Sequence, residues 1–125
     1  MKNRRQFLKE SSALGAASFL APSIYAGTAA GASELEVGVL FSLSGGLAMI
    51  EKSLSDATLM AIEEINAAGG VNGMMIKPIL EDGASDPKTY NEKASKLVIR
   101  DRVPTVFGSY TSASRKAVLP VFEKR

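Results

Sequence analysis

The chain has 125 residues, enough for one domain at most, with 15 Lys and Arg against 13 Asp and Glu and a formal net charge of +2. The basic excess is confined to residues 1–32, which hold Lys2, Arg4, Arg5 and Lys9 against Glu10, so the remainder carries a net charge of −1 and offers no basis for nucleic-acid binding. There is no cysteine and no histidine, which excludes disulfides, thiolate chemistry and any Ser-His-Asp or Cys-His arrangement, and removes the commonest metal ligand.

Residues 2–9 (KNRRQFLK) set two adjacent arginines ahead of Phe7, Leu8 and Lys9, and the weakly apolar stretch 11–25 gives way to small residues. A charged start, a short apolar segment and a cleavage region are the anatomy of an export signal. Arg4-Arg5 followed by Phe7-Leu8-Lys9 resembles a twin-arginine signal, with Asn3 where Ser or Thr is usual, and implies the twin-arginine export machinery as a partner. Cleavage is expected after Ala26, or after Ala32, where Ala30-Gly31-Ala32 has the A-x-A form. The alternative, a membrane anchor, is disfavoured because the apolar run is too short and too interrupted to span a bilayer. Residues 1–32 are thus expected to be a signal and 33–125 a periplasmic domain, near the low end of the size range for independent folding.

Residues 35–41 (LEVGVLF) read as a strand buried on both faces, running into the loop Ser42-Leu43-Ser44-Gly45-Gly46. Residues 53–68 read as a helix with Leu54, Ala57, Ala61, Ile65 and Ala68 as its buried stripe. Gly69-Gly70 and Asn72-Gly73 end it. Residues 74–80 form a second strand, with Pro78 hinting at an edge position, and 81–86 its exit loop. Asp86-Pro87 makes an N-cap followed by proline at the first helical position, opening a helix whose buried stripe is Tyr90, Ala94, Leu97 and Val98. Residues 105–107 form the third strand, set off by Pro104 and Gly108, and Ser109, Tyr110, Thr111 and Ser112 follow as four hydroxyls in a row. Ser112 suits the N-cap of a last helix with Val118, Leu119 and Phe122 as its apolar residues, and Pro120 should kink or restart that helix. Three strand–helix units in a row predict an α/β fold, a parallel βαβαβα sheet with right-handed crossovers and strand order 2-1-3. Its open edge makes the sheet unfinished, as in the front part of a longer protein.

Ligands of open α/β sheets sit outside the carboxyl ends of the strands, which here is where the hydroxyl run meets a helix N-terminus. The competing reading is that these hydroxyls only cap and solvate a turn. Ser44-Gly45-Gly46 lacks both G-x-G-x-x-G and a following Gly-Lys-Ser/Thr, so nucleotide binding has no fingerprint and no cofactor is expected. Glu81, Asp82 and Asp86 invite a divalent-ion site, but loop solvation plus an N-cap is the simpler account. Glu63-Glu64 and Arg115-Lys116 read as solvated surface.

Residues 37–73, 81–98 and 106–123 together resemble the N-terminal lobe of type I periplasmic binding proteins. Residues 63–73 (EEINAAGGVNG) are common to the wider branched-chain amino acid binding group, whereas Ile50-Glu51-Lys52-Ser53 and 112–118 (SASRKAV) resemble the urea and short-chain amide branch of ABC-transporter substrate-binding proteins. The resemblance implies two lobes hinged around a small ligand, delivery to the membrane permease of an ABC importer, and no catalysis. It also implies that Ser112 hydrogen-bonds the ligand and that Tyr110, preceded by Ser109 where relatives can carry cysteine or histidine, lines the same pocket. Thr111 and Ser44 are weaker candidates, placed by loop position. A neutral amide needs directed donors and acceptors rather than an ion pair, which hydroxyls and backbone N–H groups supply.

The departure from the pattern is length: the second lobe is missing from these 125 residues, so weak ligand binding or none is expected of this chain alone. A branched-chain amino acid receptor of the same fold is the nearest alternative, and a cytoplasmic amide-sensing regulator a further one. The latter needs no export signal, which residues 2–32 resemble. An enzyme is disfavoured by the missing His, Cys and nucleotide loop.

Overall fold

A computed structural model describes residues 33–124; the expected export signal and both cleavage positions lie outside the described residues. Strand β1 is Glu34–Phe41, followed by helix α1 (Ala48–Ala67), strand β2 (Met75–Asp82), helix α2 (Pro87–Ser95), a π-helical turn at Lys96–Arg100, strand β3 (Val106–Gly108) and helix α3 (Ser112–Phe122). The three strands pair in parallel in the order β2-β1-β3, the fold class and order that three strand–helix units dictate; the one antiparallel bridge among the described residues, Val71↔Met74, closes the turn before β2.

β1 is central and buries side chains on both faces. Val37, Val39 and Phe41 point to one side and pack with Ile62 of α1. Leu40 points to the other, into a cluster with Tyr90, Ala94, Leu97, Val103 and Val118. Gly38 lies on that second face, where a Cβ would press on Leu97 and Val106. The two clusters make a three-layer α/β arrangement, and their strand-alternating origin explains why β1 reads as a continuous apolar run. Among the described residues β2 is an edge strand, paired with β1 alone, and Pro78, which has no N–H, is tolerated there.

Four expectations are corrected. β2 continues through Asp82, because Leu40↔Glu81 and Phe41↔Asp82 keep the register, so its exit loop begins at Gly83 rather than Glu81. β3 is displaced by one residue to Val106–Gly108, paired with Gly38–Leu40. α1 starts at Ala48, five residues ahead of the expectation, and it buries Glu51, Ser55 and Ile62 while Ala57, Ala61 and Ile65 stay exposed. The start was illegible because Leu47 caps without a side-chain hydrogen bond; its amide donates instead to Ser85 Oγ from another loop, at 3.0 Å. In α3, the N-cap is Thr111, not Ser112, and the helix runs through Pro120 without restarting; of the three expected apolar residues only Val118 is buried, with Leu119 and Phe122 exposed. Proline here forgoes one N–H bond close to the C-terminal end, where the missing bond disturbs few others.

The second helix matches expectation more closely. Asp86 accepts from Thr89 N at 2.8 Å and Pro87 follows at the first helical position. Tyr90, Ala94, Leu97 and Val98 are all buried, but the last two lie in the π-helical turn, closed by Asp101 N donating to Lys96 O at 3.0 Å. Among the described residues no helix is long and apolar enough to cross a membrane.

Candidate functional site

Parallel pairing brings the carboxyl ends of all three strands, and therefore their exit loops, to one end of the sheet. The β1–α1 loop (42–47), the β2–α2 loop (83–86) and the β3–α3 loop (109–111) meet there around a cavity of about 70 Å³ lined by Leu47, Ser85, Pro87, Tyr90, Thr111, Ala113 and Ser114. Larger grooves elsewhere are shallow surface features. One of about 460 Å³ lies between α2 and α3, beside Asn91, Val98, Pro120 and Val121.

The β3–α3 side is set by reciprocal capping. Thr111 Oγ1 accepts from Ser114 N at 3.1 Å, and Thr111 N donates to Ser114 Oγ at 3.1 Å. The amides of Ser112 and Ala113 come next in that first turn, where helix N–H groups have no intrahelical acceptor and the helix dipole favours electron-rich ligand atoms. Ser109 holds φ 56° and Gly108 φ 134°, and the sharp path lets Gly108 lie against the Leu40 carbonyl, where any Cβ would collide. Ser109 O accepts from Arg115 Nε at 3.2 Å, so that arginine braces the turn.

The β1–α1 loop is held by β2 and its exit loop. Asp82 Oδ1 accepts from Leu43 N and Ala84 N, both at 2.8 Å, and from Ser44 N at 3.3 Å, while Oδ2 accepts from Ser44 Oγ at 2.7 Å. Partial burial works to raise the Asp82 pKa, but these hydrogen bonds, led by the Ser44 hydroxyl, outweigh it and hold the carboxyl below its ordinary value. Ser85 Oγ donates to Ser44 O at 2.9 Å. The amides of Leu43, Ser44 and Leu47 that a phosphate would need are thus already engaged. Glu81, buried, pairs with Lys93 Nζ at 2.8 Å and with Lys96, and Asp86 caps α2. The three carboxylates that invited a metal reading therefore each have another occupation, and no metal-holding group of His, Cys, Asp or Glu occurs among the described residues.

Of the sequence-derived candidates, Thr111 lines the cavity, although its hydroxyl is committed to capping. Ser112 is exposed as the first residue of α3 and Tyr110 is 53% exposed beside it; neither lines the cavity. Ser44 is exposed on the facing loop with its hydroxyl engaged by Asp82. The fold thus gathers all four at the strand ends. Sequence reasoning missed Ser85 and Tyr90, which line the cavity, and Ser42 and Glu51 behind them. Glu51 and Ser55, four apart on α1 and in line with Ile62, were the available signal: a polar pair on the buried side of a helix.

A parallel sheet with a small cleft at the strand ends and a capped helix start beside it is where open α/β folds place their ligands. The chain belongs to the periplasmic binding protein domain family, whose sequence profile matches residues 35–125. It is 32% identical over 109 residues to Leu/Ile/Val-binding protein homolog 7 of Brucella melitensis, covering 81% of this chain and 27% of the relative. It is 34% identical over 92 residues to the leucine-, isoleucine-, valine-, threonine- and alanine-binding protein of Pseudomonas aeruginosa, covering 74% and 24%. Among solved structures, the branched-chain amino acid transporter substrate-binding protein LivJ of Streptococcus pneumoniae, in complex with isoleucine, superposes with a TM-score of 0.72 at 29% identity, over 74% of this chain and 26% of LivJ. The chain spans about a quarter of the length of these relatives, and its fold is that of the N-terminal lobe of a type I periplasmic binding protein.

Proposed function

We propose that the chain supplies the N-terminal side of the ligand cleft of a periplasmic substrate-binding receptor, which hands a small solute to the membrane permease of an ABC importer and catalyses no reaction. The observation that carries this reading is the convergence of three exit loops on one small cavity at the strand ends, beside the capped start of α3. The first-turn amides of Ser112 and Ala113, with the Ser112 hydroxyl, suit a carboxylate or a carbonyl oxygen. Tyr110 adds an aromatic wall at the rim. The ligand class best supported is an aliphatic amino acid, since relatives named for leucine, isoleucine and valine binding match 81% and 74% of this chain. Its carboxylate would meet the α3 N-terminus.

A second reading, urea or a short-chain amide, is favoured by one feature. No Lys or Arg lines the strand-end cavity, so its walls offer hydroxyls and amides rather than a cation, a donor set that fits a neutral ligand. Export through the twin-arginine machinery, from the pattern at residues 4–9, belongs to the same proposal.

Calorimetric titration with isoleucine, leucine, valine, urea and acetamide decides between these. Binding of an aliphatic amino acid, weakened roughly tenfold by Ser112→Ala as expected for one lost directed hydrogen bond, supports the first reading. Binding of urea or acetamide alone supports the second.

A further inference from the structure

Glu51 is fully buried although it carries a carboxylate. Its Oε2 accepts from Ser42 N at 2.7 Å and from the Tyr90 hydroxyl at 2.5 Å, while Oε1 takes no hydrogen bond from the described residues. Tyr90 Oη lies 3.0 Å from Ser42 Oγ, which accepts from Ser85 N at 3.1 Å. Ser85 Oγ in turn accepts from Leu47 N, the residue before α1. The path runs from α1 to the end of β1, across to α2, on to the β2–α2 loop, and back to the start of α1. It closes a ring.

Two observations show that this ring does more than fill the core. First, it holds backbone that would not hold itself: Ala84 and Ser85 are consecutive non-glycine residues at φ 51° and 57°, conformations that persist only where the surroundings impose them. The Tyr90 ring lies so close beneath Gly83 that a Cβ there would overlap it. Second, the arrangement is costly. A buried carboxylate with one oxygen unsatisfied destabilises the fold relative to an apolar residue of the same size. Three of the ring's residues, Leu47, Ser85 and Tyr90, line the strand-end cavity opposite Thr111 and Ser114.

We infer that Glu51 is a positioning residue of the ligand site, acting through Ser42 and Tyr90 to set the β1–α1 and β2–α2 loops at the spacing the ligand requires. It does not touch the ligand. The inference rests on placing the ligand at the strand ends, as proposed above.

The test uses Glu51→Leu, which removes the acceptor of Ser42 N and of the Tyr90 hydroxyl, and Tyr90→Phe, which removes only the hydroxyl and leaves the ring beneath Gly83. Amide hydrogen exchange followed by NMR on the ligand-free protein reads loop position directly. The expected result in both variants is at least tenfold faster exchange at Ser42, Leu47 and Ser85, with amides of β2 and of Leu97 within twofold of wild type. The double variant should exchange no faster than the worse single one, since both cut the same ring. Affinity for whichever of isoleucine or urea binds wild type should fall at least tenfold in step. Exchange that rises uniformly over the sheet, or loops that do not respond, would overturn the assignment and leave Glu51 a core residue. If wild type binds neither probe while the loop amides respond as stated, Glu51 holds the loops but its role at a ligand site is overturned. Should Glu51→Leu not fold, Tyr90→Phe alone carries the same comparison.

Discussion

Two residues at the strand ends carry effects that can be separated from ligand chemistry. Asp82 is a carboxylate whose folded pKa lies below the ordinary 3.8. The stability it contributes is complete above that ordinary value and is lost as pH falls through the lowered folded one. Asp82→Asn should therefore lower Tm at neutral pH and flatten the acid limb of the Tm–pH curve below about pH 4, which calorimetry from pH 7 to pH 2 will show; an unchanged acid limb would mean the Ser44 and amide contacts are not made in solution. Thr111→Ala removes the cap of α3 and should cost about 1 kcal/mol. That loss is read from guanidinium rather than urea unfolding, because urea is a candidate ligand. At this scale the sequence was only partly informative. The Asp86-Pro87 cap was plain because the signal is local, four residues of known chemistry. Thr111 and Ser112 are adjacent hydroxyls with equal capping chemistry, and only the φ/ψ of the turn, with Ser114 reciprocating, chose between them. The buried Tyr90 phenol shows the same limit: burial, with the Glu51 carboxylate against it, pushes its pKa well above the ordinary range, and its partner lies 39 positions away.

Among the elements, β1 and α2 were legible and α1 was not. β1 is apolar because both faces are covered, and α2 follows its 3.6-residue stripe. In α1 two candidate stripes compete. Leu54, Ala57, Ala61 and Ile65 form the more apolar one, yet they line an open groove of about 510 Å³ with Phe41, Ile62, Ile76 and Phe107, and the buried positions of the helix are Glu51, Ser55 and Ile62. A polar residue faces the core when partners wait there, and here Ser42 N and Tyr90 Oη do. Periodicity measures apolarity and is blind to such satisfaction. β3 depends on one backbone position. Gly108 pairs with Leu40 at φ 134°, so Gly108→Ala should cost about 3 kcal/mol by forcing the strands apart. Circular dichroism melts check this; a Tm within 2 °C of wild type would show that β3 is not paired as described.

For the molecule as a whole, the sheet is unevenly held. β1 meets β2 along its full length, Glu34↔Met75 to Phe41↔Asp82, but meets β3 only from Gly38↔Val106 to Leu40↔Gly108. Native-state hydrogen exchange should accordingly find the slowest amides in the β1–β2 ladder, with those of β3 exchanging through a smaller opening at lower free energy. Equal protection across both pairings would contradict it. The sequence by itself determined the alternation of strands and helices, the parallel sheet in the order 2-1-3 and the end of the molecule where the loops gather, because these follow from local periodicity, turn residues and the handedness of crossovers. The tertiary structure decided which face of α1 is buried, where β2 and β3 stop, which hydroxyl caps α3, and that Glu51, Tyr90, Ser42 and Ser85 form one hydrogen-bonded ring. Each of those depends on groups far apart in the chain meeting in space, and a buried polar residue declares itself only through the partner that satisfies it.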